Sequence, residues 1–197
     1  MSKAEKTRRY IIETTAPIFN RKGYAGTSLT DLTDATGLTK GSIYGNFENK
    51  EEVALEVYRH NVAQVTRGMR NCILPHTSST GKLTALFGFY RENWRRLYSS
   101  GGCPMLNAAV EADDNLPFLK KSVQDSVKSF ADYLVQIIDY GKKRGEIKTD
   151  IDGTAYAYTI ITLIEGGVML GKISDTPDLL FAALERAQRI IDEEMKA

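Results

Sequence analysis

The sequence predicts an all-α protein of about nine helices. Three observations carry this. Apolar residues recur at three- and four-residue spacing through nearly the whole chain, strand-like alternation is weak, and Gly, Pro and short capping residues punctuate the periodic stretches. Nine such stretches joined by short connections define helix packed on helix.

The first helix is expected over residues 4–22, where Ile12, Ala16 and Phe19 form a stripe flanked by Ile11, Thr15 and Ile18. The basic pair Arg21-Lys22 and then Gly23 suit its C-terminus. Ser28 starts a short second helix in a capping-box pattern with Asp31, and Leu29, Leu32 and Ala35 mark its inner side. Gly37 breaks it. Thr39 caps a third short helix over 40–47, burying Ile43 and Phe47. Asn49 followed by Glu51 and Glu52 opens a long fourth helix, since Asn is a good N-cap and acids suit a first turn.

Residues 76–81 read as a polar loop. Further helices are expected over 82–99, 103–113, 117–144, 152–172 and 177–195. Pro104 and Pro177 stand where a first turn accepts proline, and Gly145 ends the seventh helix. The apolar run 155–170, interrupted by Glu165, reads as a buried helix. It is shorter than the roughly 20 residues a membrane span needs.

Bulk properties narrow the class. A net charge of +1 excludes a polycationic DNA coater but leaves room for a local basic surface. Residues 1–50 hold eight Lys/Arg against five Asp/Glu, a modest local excess. The opening segment is polar and has no apolar signal core, so a cytoplasmic location is expected and no membrane contact. Cys72 and Cys103 have no metal spacing and suit a reducing compartment. His60 and His76 lie in no catalytic motif, and no nucleotide loop or metal-ligand pattern stands out. The expectation is therefore no catalytic residue, no metal and no cofactor.

The sharpest signal is Gly23 to Lys50. Two short helices joined by a tight Gly-containing turn make a helix-turn-helix. The second is too short to persist alone, so Leu38, Ile43 and Phe47 must anchor it. Its remaining residues are small or polar, a poor core face and a good groove face. The ordered elements Gly-Tyr, Thr-Ser, Ala-Thr-Gly-Leu, Lys-Gly-Ser-Ile-Tyr and Asn-Phe-x-Asn-Lys, within residues 9–58, resemble the N-terminal domain of the tetracycline-repressor-like regulators. Thr33 departs from the small Ala usual there, and a Thr can bond a carbonyl of its own helix.

The resemblance implies a helix-turn-helix DNA-binding domain over 1–50 and a helical effector-binding and dimerisation domain over 51–197. It places the helix 40–47 in the major groove of a palindromic double-stranded operator. Phosphate contacts are expected from Ser28, Thr39, Tyr44 and Lys50. Base reading is expected from Lys40, Ser42 and Asn46. Gly41 and Gly45, four apart on the outward face, imply close backbone approach and sparse side-chain readout.

Behind this domain the resemblance implies a small-molecule pocket, with Phe87, Tyr90, Trp94, Met105, Asn107, Phe130, Tyr133, Glu165 and Met169 as candidates. Glu165 is singled out because an unpaired charge in an apolar helix is costly. Asn107 and Glu111, four apart, face either the same cavity or solvent. A homodimer is expected through the last two helices, with Ala155, Ala157, Thr162 and Gly166 allowing close approach and Leu180, Leu184 and Ile191 supplying the stripe. The leading function is a ligand-responsive repressor released from its operator by a small molecule. The alternatives are a DNA-binding dimer without an effector, and a helical small-molecule enzyme.

Overall fold

Ser2 opens the first helix with a capping box: its hydroxyl accepts the Glu5 N–H, and the Glu5 carboxylate accepts the Ser2 N–H. The computed structural model describes residues 2–197, the side chain of Asp114 excepted. Among the described residues nine α-helices follow in order and no strand forms. They are α1 (Lys3–Lys22), α2 (Leu29–Thr36), α3 (Lys40–Tyr44), α4 (Lys50–Ile73), α5 (Ser79–Ser99), α6 (Pro104–Asp114), α7 (Pro117–Lys143), α8 (Gly153–Ile173) and α9 (Asp178–Arg189), with a terminal π-helical turn at Ile190–Met195.

Several boundaries differ from the sequence expectation, each for a physical reason. The third helix stops at Tyr44 rather than 47, because the N–H groups of Asn46 and Phe47 both return to the Ile43 carbonyl and close the chain into a turn. The fifth begins at Ser79, inside the expected loop. Glu146 accepts the Ser79 N–H at 2.6 Å, and the Ser79 hydroxyl donates to the Ile137 carbonyl at 2.8 Å, which satisfies a buried helix start. The ninth is α-helical only to Arg189. It then widens so that Ile190, Ile191 and Met195 all turn inward. Lys148 holds this turn, its N–H donating to the Met195 carbonyl and its amine to the carbonyls of Glu193 and Glu194.

The chain divides into two compact units, Met1–Val65 with Ser100–Ser126, and Thr66–Ser99 with Val127–Ala197. The expected DNA-binding segment lies within the first. In the core of that unit Ile11, Phe19, Tyr24, Leu32, Ile43, Phe47, Val57 and Tyr58 are buried. The stripe of α1 runs through Ile11, Thr15, Ala16 and Phe19, while Ile12 is only half-buried. Tyr24 packs against Phe19 at 5.6 Å between ring centroids and meets the edge of Tyr58 at 6.2 Å.

In the second unit α8 packs closely on α9. A Cβ added to Gly167 would stand 2.9 Å from the Ala183 Cβ and 3.1 Å from the Leu180 Cα, so the helices approach at Gly167. A Cβ added to the neighbouring Gly166 would meet no atom within 4 Å in the protomer. The stripe Leu180, Leu184 and Ile191 is fully buried in this unit's own core, which corrects its expected place at a partner surface. Nor is α8 buried all round. Ala157, Ile160, Ile164, Gly167, Val168 and Gly171 turn inward, while Tyr158, Met169, Leu170 and Ile173 are exposed. No described helix is long and apolar enough to cross a membrane. Neither Cys72 nor Cys103 is in a disulfide.

Candidate nucleic-acid interface

The two short helices are fixed at every end. Ser28 caps α2 with a full capping box: its Oγ accepts the Asp31 N–H at 3.1 Å, and Asp31 accepts the Ser28 N–H at 2.8 Å. Lys22 donates to the other Asp31 oxygen. That hydrogen bond, with the Ser28 N–H and hydroxyl, lowers the Asp31 carboxyl to a pKa of about 2. Gly37 ends α2 in the left-handed region, at φ 67° and ψ 11°, and its N–H donates to the Thr33 carbonyl. A side chain there would be strained, so glycine suits the turn. Thr33 bonds back to the Thr30 carbonyl at 2.9 Å, which satisfies its hydroxyl.

Thr39 then caps α3, its Oγ1 accepting the Ser42 N–H at 3.1 Å. Ile43 and Phe47 are buried and Leu38 half-buried, so the helix is held from one side. On the other side Lys40, Gly41, Tyr44 and Gly45 are exposed, while Ser42 and Asn46 are half-buried. The Lys40 amine stands 5.9 Å from the centre of the Tyr44 ring. A Cβ on Gly41 would come no closer than 4.0 Å to any neighbour, and Gly41 does not have the positive φ that favours glycine. The fold therefore makes no demand for glycine at this position.

The other expected DNA residues are partly engaged within the protein. Asn46 donates its carboxamide N–H to the Ser42 carbonyl at 2.9 Å. The Lys50 amine donates to the Thr27 carbonyl at 2.8 Å and ties the start of α4 to the loop before α2. Asn49 caps α4, accepting the Glu52 N–H at 2.9 Å.

The structure adds three residues the sequence did not single out for this region. Arg8 reaches from α1 to the turn after α3. Glu111 on α6 accepts the N–H groups of Tyr24 and Ala25 at 2.8 and 2.7 Å. Asn20 donates to the Ser100 and Gly102 carbonyls at 2.7 and 3.1 Å. Asn107 donates to the Asn20 and Gly101 carbonyls at 3.0 and 2.9 Å. Asn107 thereby ties the end of α1 to the turn before α6. Asn107 and Glu111 do share one face, as their spacing implied, but it meets α1 and the turn after it rather than a cavity or solvent. Their partners lie some 87 positions away in sequence, beyond any periodic signal.

The remaining effector candidates fall into two groups. Met105 is buried in the first unit, as is the start of α6 around it. In the second unit Phe87, Tyr90 and Phe130 are buried, and the Tyr90 hydroxyl donates to the Met69 sulfur at 3.5 Å. Trp94 is half-buried edge-on to Tyr98 at 5.5 Å, and Tyr133 is half-buried beneath Arg70. Glu165 is half-buried. Met169 lies on the exposed side of α8 with Leu170 and Ile173, apart from the buried aromatic residues.

A three-helix head with a capped, outward-facing third helix, followed by a larger helical unit, defines a helix-turn-helix DNA-binding protein. Residues 11–57 match the model of bacterial regulatory proteins of the tetR family, and residues 79–190 match the tetracyclin repressor-like C-terminal domain. The chain belongs to the TetR family of transcriptional regulators. It is 38% identical to a TetR-family transcriptional regulator of Cytophaga hutchinsonii, with a TM-score of 0.95 over 100% of this chain and 98% of the other. A TetR transcriptional regulator of Chloroflexus aurantiacus is 33% identical, with a TM-score of 0.94 over 100% and 99%. The transcriptional repressor DhaR of a Mycobacterium species is 24% identical over 84% of this chain and 82% of its own.

Proposed function

We propose that this regulator is a repressor that binds a palindromic operator as a homodimer, through α3 of each protomer, and is released by a small molecule. The observation that carries the DNA reading is the exposed face Lys40, Gly41, Tyr44 and Gly45, held by buried Ile43 and Phe47. Gly41 is free of any internal constraint, so its missing side chain makes sense as close approach of backbone to DNA. Lys40 reads base edges with Ser42 and the Asn46 oxygen, and Ser28, Thr39, Tyr44 and Lys50 contact phosphates. With Asn46 half spent on Ser42 and two glycines on the face, specificity draws on few base contacts and on DNA shape.

Dimerisation is supported by the apolar residues left outside on the last two helices: Tyr158, Met169, Leu170 and Leu179, with Ile173 79% exposed. Exposed apolar surface of this kind marks an interaction site, and a two-fold dimer sets two recognition helices about 34–36 Å apart, or a multiple of that. Met169 thus belongs to the dimer face in this reading. The effector would sit among Phe87, Tyr90, Trp94, Phe130, Tyr133 and Glu165 of the second unit, an apolar set with few polar groups. The repressor sense rests on the mycobacterial relative, and the site of action is the cytoplasm. No enzymatic role is proposed.

The test is binding to duplex DNA protected by the protein in footprinting of genomic DNA from its source. Lys40→Ala and Tyr44→Ala should each weaken binding while melting temperature holds. Undiminished binding in both would remove α3 from the groove. Sedimentation as a monomer at micromolar concentration would remove the dimer.

A further inference from the structure

Behind the reading face lies a polar junction built around Arg8. From α1 its Nη1 donates to the Asn46 carbonyl and its Nη2 to Glu52 Oε1, both at 2.6 Å. The guanidinium carbon stands 4.2 Å from the centre of the Phe47 ring. The second Glu52 oxygen accepts the Glu48 N–H at 2.7 Å. This bond, ahead of the Arg8 pairing, lowers the Glu52 carboxyl below its ordinary range. Arg8 and Glu52 side chains are 32% and 30% exposed, so the pair is partly shielded from solvent.

We propose that Arg8 is a positioning residue for operator recognition, fixing the angle at which α3 meets DNA without itself contacting a phosphate. The proposal rests on the reading of α3 given above. α3 has five residues, too few to hold its own direction. Its start is set by the Gly37 turn and the Thr39 cap, and its middle by Ile43. The residues that leave it, Asn46 to Glu48, are held by Arg8 and Glu52. A guanidinium suits this place because its planar fork serves two acceptors while its flat face lies on an aromatic ring. A lysine amine offers a point charge and cannot do all three. Both terminal nitrogens of Arg8 are already aimed at protein oxygens, away from the role of a mobile phosphate ligand.

The experiment compares two duplexes: one selected by the wild-type dimer from a randomised pool, and a scrambled duplex of equal length and composition. Arg8→Lys, Arg8→Met and Glu52→Gln are titrated against both at several salt concentrations. All three should bind the selected duplex about tenfold more weakly, a loss comparable to one mismatched base pair. Affinity for the scrambled duplex should hold within about twofold for Arg8→Lys, which keeps the charge, and the salt slope should stay unchanged in all three. Wild-type binding by Arg8→Lys, with a slope reduced by about 0.9 in Arg8→Met, would make Arg8 a phosphate contact and overturn the proposal. Parallel loss of both duplexes with a lowered melting temperature would reduce it to a folding role and equally overturn it. If the wild type selects no duplex, the DNA reading itself fails, an outcome distinct from any variant result.

Discussion

The carboxylate of Glu111, on α6, accepts the backbone N–H of Tyr24, in the turn between α1 and α2, at 2.8 Å; its other oxygen takes the next N–H, that of Ala25, at 2.7 Å. One carboxylate thus satisfies two adjacent donors at the point where the chain enters the helix-turn-helix. Hydrogen bonds to a charged group contribute about 1.5–3 kcal/mol each when shielded and less when exposed. Glu111→Ala is expected to lower stability by about 1–3 kcal/mol, with Glu111→Gln retaining part of the loss, since an amide has one acceptor oxygen. Urea denaturation of both variants checks this. A wild-type midpoint in Glu111→Ala would show that the clamp contributes nothing.

Gly41 should separate folding from binding. A Cβ there meets nothing inside the protein, and alanine favours helix over glycine by about 0.5–1 kcal/mol. Gly41→Ala is therefore expected to raise the melting temperature slightly while weakening operator affinity. A more stable variant with unchanged affinity would argue against close backbone approach at this residue.

The Asp31 carboxyl carries a pH signature. Its pKa is about 2 in the folded chain, held down first by the Lys22 hydrogen bond and then by the Ser28 N–H and hydroxyl. The unfolded value is about 4. A carboxyl whose pKa is depressed by folding adds stability above the unfolded value, and that contribution fades as pH falls from about 4 through 2. The difference in melting temperature between wild type and Asp31→Asn should be constant above pH 5 and shrink below about 4. A difference that does not change with pH would place the benefit of Asp31 elsewhere.

Adjacent glycines in α8 should respond with opposite signs. At Gly167 a Cβ would press on Ala183 and on the backbone of Leu180, whereas at Gly166 it would meet open space. Gly167→Ala is expected to cost about 1–3 kcal/mol through overpacking. Gly166→Ala is expected to be neutral or stabilising for the protomer by up to about 1 kcal/mol. Chemical denaturation of the two variants, compared at one protein concentration, distinguishes them.

Much of this architecture was legible because it depends on local signals. Ser28 with Asp31, Gly37, Thr39 and Asn49 are capping and turn residues whose roles follow from short-range chemistry, and all five act as such. The start of α5 and the end of the last helix were set by distant groups. Ser79 starts α5 because Glu146 and Ile137 satisfy it, and neither is near in sequence. The same holds for the site. Lys40 and Tyr44 stand outward as their positions in a short helix required, but Arg8, Asn20 and Glu111 act through side-chain bonds to backbone groups 38 to 87 positions away. Such bonds leave no spacing to read. For the last two helices, hydrophobicity alone could not say which side faces inward. Leu180 and Leu184 proved to be core, and the outward set was Tyr158, Leu170 and Ile173.

The junction at Arg8 has a bearing on how such a protein can change its target. The groups that hold α3 in place, Arg8, Glu52, Thr39, Ile43 and Phe47, differ from the residues it exposes, Lys40, Gly41, Tyr44 and Gly45. Bracket and lettering are separable. Substitutions at Lys40, Gly41 and Tyr44 can therefore accumulate in evolution, or be drawn from a library, without dismantling the mount that displays them. In the proposed reading of α3, new sequence preferences become reachable by single steps through folded intermediates.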